Sequence, residues 1–188
     1  MALSKNQRLL RINEFLSQQG NTATNLRLCK ESDAEFTLEL RMNPSLNKHL
    51  SSVDNSIHQQ RSWIKQYKNR EAAGEEFYFI IEHDNAPVGT VRIYDFKDDS
   101  FCWGSWIIMP GTSTKAAISS VQLVYRIGFE ILQFPSCHFD VRKDNKSVNR
   151  FHSRMGAQVT GEERDLIFYR ITPADTKEYF SLRGIRSN

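Results

Sequence analysis

The run Met109-Pro110-Gly111-Thr112-Ser113-Thr114-Lys115 lies between two segments of different character. Before it, Phe101-Cys102-Trp103-Gly104-Ser105-Trp106-Ile107-Ile108 is aromatic and apolar, and too short to be a helix by itself. After it, Ala116, Ile118, Val121, Val124, Tyr125, Gly128, Phe129 and Leu132 recur at helical spacing. A strand, a turn of small residues and a helix in that order aim unpaired main-chain N–H groups at one point. Such a point suits an anion, of which a pyrophosphate is the usual example. The plainer alternative is an ordinary strand-to-helix turn whose hydroxyls only cap the helix.

A chain of 188 residues fits one domain with a real core. Its net charge of +3 comes from scattered Lys and Arg, not from the dense basic face that a nucleic-acid binder needs. Cys29, Cys102 and Cys137 are odd in number and show no CxxC spacing, which argues against a disulfide framework and a zinc knuckle, and no metal is expected. The start Met1-Ala2-Leu3-Ser4-Lys5 leads into mixed polar sequence without a secretory apolar stretch, and no apolar run approaches a membrane span. A cytoplasmic protein with neither nucleic-acid nor membrane partners is the expectation, as a monomer or a homodimer.

The elements that must hold the turn in place can be read around it. Leu9, Leu10, Ile12, Phe15 and Leu16 make a helix of Lys5 to Gln19, stopped by Gly20 and Asn21; residues 1–22 form an N-terminal helical extension. Leu26 to Lys30 alternates as a strand. Ser32 with Glu35 resembles a capping box for a helix running to about Arg41. Residues 45–56 are polar, and a helix follows from Ile57 to about Ala72, broken at Gly74. Phe77 to Glu82, Val88 to Tyr94 and the strand from Phe101 read as an antiparallel meander, with turns at His83-Asp84-Asn85-Ala86-Pro87 and Lys97-Asp98-Asp99-Ser100. Cys137 to Val141 is a strand parallel to the one before the long helix. A short helix from Val148 to Met155 ends at Gly156, and Val159 to Glu163 with Leu166 to Ile171 closes as a hairpin. Residues 23–172 form the domain and 173–188 a variable tail. The class is α+β, a mixed sheet with a parallel strand pair inside it and flanking helices.

This element order over residues 24–172 resembles the GCN5-related N-acetyltransferase (GNAT) superfamily. The most specific local match is Asn145-Lys146-Ser147-Val148-Asn149-Arg150-Phe151-His152-Ser153-Arg154-Met155-Gly156-Ala157. The family has Tyr where this chain has His152, an aromatic residue where it has Ala157, and a phosphate loop richer in Gly and basic residues than Met109 to Lys115. The segments around Trp63, Phe77 to Ile81, Pro87 to Val91 and Trp103 to Ile108 look most like the branch of ribosomal-protein N-terminal acetyltransferases. That branch also holds enzymes acetylating the amino group of nucleotide-linked sugars, and the tryptophans lean toward these.

The resemblance implies acetyl-CoA as cofactor and a small-molecule amine as acceptor, a nucleotide-linked amino sugar in one reading. The backbone of Trp106, Ile107, Ile108 and Met109, splayed from its parallel neighbour, would hold the pantetheine arm. Amides from Gly111, Thr112, Ser113, Thr114, Lys115 and Ala116 would take the pyrophosphate. Asn145, with Ser147 beside it, would bond the pantetheine or a water, unless it only forms an Asx turn. His152 would face the sulfur and, as imidazolium, protonate the departing thiolate, unless it is a solvent-facing helix residue. His49, Ser51, Ser52, Arg92, Tyr94, Trp103 and Ser105 are the acceptor-site candidates. Trp103 and Trp106 can share a face only if the strand bulges between them, and both cannot then be functional. His58 and His138 are expected to be structural; of the candidate bases, Glu82 and Asp140 lie at strand ends, and Asp140 either faces the cleft or, the better reading, is a structural cap. A protein N-terminal or small-amine acetyltransferase, and a non-catalytic acyltransferase-like binding domain, stay open as alternatives.

Overall fold

The computed structural model describes residues 3–20, 22–46 and 54–182. Seven strands form one sheet in the order β1-β2-β3-β4-β5-β7-β6, where β1 is Thr24–Leu28, β2 Phe77–His83, β3 Ala86–Tyr94, β4 Ser100–Ile108, β5 Ser136–Arg142, β6 Gln158–Glu163 and β7 Leu166–Ile171. Every pairing is antiparallel except β4 with β5. The β2–β3 hairpin turns on Asp84 and Asn85, both at positive φ (50° and 64°), the backbone that a two-residue turn of matching twist demands. None of the described helices is long and apolar enough to cross a membrane.

Strand alternation divides the interior into two layers. Phe77, Phe79, Ile81, Val91, Ile93, Phe101, Trp103, Phe139 and Tyr169 point to the larger core, together with Ile12 and Phe15 of α1 (Lys5–Ser17) and Val121, Val124 and Tyr125 of α4 (Thr114–Arg126). Tyr78 and Ile80 point the other way, onto Ala34 of α2 (Ala34–Met42) and Ile64 and Tyr67 of α3 (Ile57–Ala72).

Two expectations are corrected at helix ends. The first concerns Ser32, which caps nothing. The chain first makes a 3₁₀ turn over Glu31–Asp33, where the Asp33 carboxylate accepts the Lys30 N–H at 2.8 Å and both terminal nitrogens of Arg27 at 2.7 and 2.8 Å. A carboxylate already fixed by a bidentate arginine is a better cap than a free hydroxyl. The second concerns residues beyond 172, where a tail was expected. Pro173–Ser181 is helix α6, with Pro at its start, Asp175 accepting from the Thr172 N–H at 2.9 Å, and Tyr179 and Phe180 in the larger core. Pro173 starts a helix here instead of ending the fold.

At its far end α4 widens into a π-helical segment, Ile127–Ile131. A Cβ on Gly128 would lie 1.9 Å from the Phe101 ring, so this wider turn needs glycine where it crosses the base of β4. The three cysteines are unpaired and buried.

Candidate active site

Strands β4 and β5 pair only at Ser100 with Ser136 and Phe101 with Cys137, although β4 runs on to Ile108 and β5 to Arg142. Beyond that base no ladder joins them, and the facing edge of β4 keeps main-chain groups with no bonds to β5. The divergence coincides with a bulge. Thr90 of β3 opposes Ile107 while Arg92 opposes Gly104, so β4 carries one extra residue near Ser105, which sits at φ 50°. The bulge puts Trp103 and Trp106 on one side, their ring centroids 6.0 Å apart, as the sequence spacing required.

The two tryptophans differ in what they touch. Trp103 is 6% exposed and lies edge-on to Tyr125 at 5.7 Å in the larger core, so it does not line an acceptor pocket as the sequence suggested. The strand turns that side chain away from the face bearing Arg92 and Tyr94. Trp106 donates from Nε1 to Ser120 Oγ at 3.1 Å and stacks on Phe151 at 5.7 Å. It thereby ties the upper part of β4 both to α4 and to α5 (Lys146–Arg154).

The turn after β4 is exposed at Gly111 and from Ser113 to Lys115, with Gly111 at φ 86° and open space around it. The Thr112 N–H returns to Met109 O at 3.2 Å. Ser113 is the N-cap of α4: its Oγ accepts from Ala116 N at 3.1 Å. For Ser113 the capping alternative therefore holds, and buried Ala116 has no spare amide for a phosphate, a correction to its expected role. The N–H groups of Gly111, Ser113, Thr114 and Lys115 have no hydrogen-bond partner among the described residues, and the Lys115 side chain is beside them. Four solvent-facing donors at the positive end of a helix macrodipole are what a polyphosphate requires.

Asn145 is the N-cap of α5. Its Oδ1 accepts from Val148 N at 3.4 Å and from Ser147 Oγ at 3.2 Å, so the Asx role is the one observed for both residues. Sequence reasoning missed Asn149. Its Nδ2 donates to Arg142 O at 2.8 Å and Asn145 O at 2.9 Å, while its Oδ1 accepts from Tyr169 at 2.8 Å. That one side chain fastens the end of β5, the start of α5 and β7. The only available signal was an amide one turn after the N-cap.

His152 is neither solvent-facing nor an imidazolium. It is 5% exposed, and its ring lies 4.2 Å from that of Phe139, 5.3 Å from Phe151, 5.6 Å from Trp103 and 6.3 Å from Tyr169. Its Nδ1 is sealed without a hydrogen-bond partner. Burial disfavours the charged form and lowers the pKa from 6.5 to about 4, so the ring is neutral at neutral pH. No carboxylate among the described residues supports a positive charge there, which corrects the expected protonation state.

On the opposite face, β-register sets Arg92 across from Gly104 and Tyr94 across from Cys102. The Arg92 guanidinium lies over the Tyr94 ring at 4.3 Å and is 3.7 Å from Glu76, which Arg70 also engages at 2.7 Å. The Tyr94 hydroxyl rests against Gly104, where a Cβ would come within 2.9 Å of it. Ser105 contributes its carbonyl, which accepts from Thr90 Oγ1 at 3.1 Å. Burial pushes the Cys102 thiol up to about 11, and it also raises the Tyr94 phenol. On β5, His138 Nε2 meets Asp95 at 2.9 Å, in line with a structural role. Asp140 caps nothing: its exposed carboxylate has no hydrogen-bond or ion-pair partner among the described residues. His49, Ser51 and Ser52 lie outside the described residues.

Comparison with known proteins agrees with this geometry. The chain matches the family model for the acetyltransferase (GNAT) domain over residues 24–158. It is 45% identical to apo FdhC, described as a nucleotide-linked sugar GNAT, with a TM-score of 0.78 over 87% of this chain and 94% of that one. Mycobacterium smegmatis RimJ in complex with CoA-disulfide is 17% identical, with a TM-score of 0.71 over 86% and 89% of the two chains. Campylobacter jejuni N-acetyltransferase PseH is 12% identical, with a TM-score of 0.63 over 81% and 99%. These last two likenesses concern the fold alone. No curated protein matches the chain. A match over more than half of the chain, joined to splayed strands and a turn of free amides, makes this protein an N-acetyltransferase of the GNAT family.

Proposed function

We propose that the protein transfers the acetyl group of acetyl-CoA to the primary amine of a nucleotide-linked amino sugar. The observation that carries the donor half is the open edge of β4 leading directly into the unbonded amides of Gly111, Ser113, Thr114 and Lys115. A long, extended carrier ending in phosphates fits an edge that continues into an anion site. The backbone from Trp106 to Ile108 would bind the pantetheine arm like an added strand, while Met109, expected to join it, has its N–H on Val88 O at 2.8 Å and its carbonyl on the Thr112 N–H; the turn amides with Lys115 would bind the pyrophosphate. When bound, acetyl-CoA supplies an electrophilic thioester carbonyl. Of the chain's own groups, neutral His152, at the position the resemblance gives to the family's acid, would hydrogen-bond the sulfur as an uncharged donor.

Two observations support the acceptor half. One is the 45% identity to FdhC, described as a nucleotide-linked sugar enzyme. The other is the Arg92 guanidinium, 3.7 Å from a Glu76 carboxylate that Arg70 holds more closely at 2.7 Å, which could engage a diphosphate. An aromatic ring next to a guanidinium also suits a sugar face.

The test has two stages. Acetyl-CoA at 100 times its dissociation constant should stabilise the folded chain by about 2.7 kcal/mol, read as a rise in melting temperature. No shift at millimolar acetyl-CoA would remove the donor site. Acetylation is then assayed on nucleotide-linked 4-amino sugars, polyamines and peptide N-termini. Transfer confined to the sugars is expected; transfer confined to peptides or polyamines would replace the acceptor class.

A further inference from the structure

We propose that Asp140 receives the acceptor's amino group on the face of the sheet that bears Arg92 and Tyr94, binding it as the ammonium and taking its proton toward the acyl transfer. This rests on the function proposed above and names a residue for it. The argument begins with strand alternation. Phe139 and Val141 turn to the core that encloses His152, so His138, Asp140 and Arg142 turn to the other face. The last parallel pair is Phe101 with Cys137. Asp140 therefore stands three residues up one arm of the opening, as Gly104 does on the other.

The groups around it narrow the choice of carboxylate. Asp95 is held by His138, Asp99 by Arg170, and Glu76 by Arg70 and Arg92. Cys102 and Tyr94 keep their protons at neutral pH, and Asp140 is near enough for its charge to help hold both there. His138 has Nε2 on Asp95 and Nδ1 sealed. Asp140 is thus the exposed, unpartnered anion on the acceptor side of the gap, across the sheet from the imidazole on the donor side. The arrangement gives the two proton movements separate places. The ammonium gives one proton to the Asp140 carboxylate, the freed nitrogen lone pair forms the C–N bond, and the C–S bond breaks. The nitrogen loses its second proton to solvent as the amide forms, the thiolate takes one from solvent through the His152 side, and Asp140 returns its own to solvent.

A solvated surface aspartate would do none of this, and variants separate the two. The amine that the wild type acetylates fastest in the panel above is used with Asp140→Asn and Asp140→Glu. Asp140→Asn is expected to lower kcat/KM for that amine at least about 100-fold, with Asp140→Glu recovering part of the loss. The acetyl-CoA melting shift should stay unchanged. Calorimetry with CoA present adds a readout without turnover: the wild type should bind the amine at least about tenfold more tightly than its hydroxyl counterpart, and Asp140→Asn should lose that preference. An Asn variant with kcat/KM within about threefold of wild type, or with the preference intact, overturns the proposal while leaving the acetyltransferase reading in place. A wild type that neither binds acetyl-CoA nor acetylates any amine takes down both.

Discussion

At the scale of single residues, the site depends on which polar groups are left without partners. The sequence offered His152 as a candidate acid through its resemblance to the family, but not the charge state of its ring. That is decided by rings from β4, β5, α5 and β7, which no local spacing brings together. The buried ring has a consequence for stability. Unfolded His152 binds a proton near pH 6.5 while the folded form resists until about pH 4. The unfolded state therefore gains protons first, and stability is complete above about pH 6.5 and declines as the pH falls toward 4. The shift corresponds to roughly 3 kcal/mol. In urea unfolding at pH 7 and pH 4, the wild type should lose more stability than His152→Phe by about this amount. Equal losses would mean the ring is not held neutral. That Arg92 and Tyr94 share one face was legible because they alternate on one strand. The Glu76 contact with Arg92 was not legible, because it joins residues far apart in the sequence, and for Asp140 the sequence left a cleft-facing place and a cap both open.

At the scale of elements, the strands and their hairpins could be read from alternation and turn residues, and the bulge in β4 from two tryptophans three residues apart. Helix α6 could not: its apolar residues are few, and Pro173 signals a helix start as readily as a stop. The π segment was equally hidden, since its sequence continues the helical pattern without a break. Its packing is tight. Gly128→Ala would push a methyl group into the Phe101 ring, and overpacking of this kind costs about 1–3 kcal/mol. Phe101 is also the last residue of β4 paired to β5, so displacing it should disturb the opening above. A lower urea midpoint together with a smaller acetyl-CoA melting shift is expected; a normal midpoint would show that the ring can move aside.

At the scale of the whole molecule, the sheet is a partition. The larger core draws on both ends of the described chain, from Ile12 and Phe15 in α1 to Tyr179 and Phe180 in α6. The smaller core lies under α2 and α3, on the face of the sheet that bears Arg92 and Tyr94. All three thiols are shut inside this framework, and burial pushes Cys102 up to about 11, Cys29 up to about 12, and Cys137 well above its ordinary value. Thiols so reluctant to ionise make poor nucleophiles. The chain thus has no cysteine on which to park an acyl group between partners, and the handover must occur with both partners aboard at once. Double-reciprocal rate plots should intersect instead of running parallel, and iodoacetamide should leave the native enzyme active.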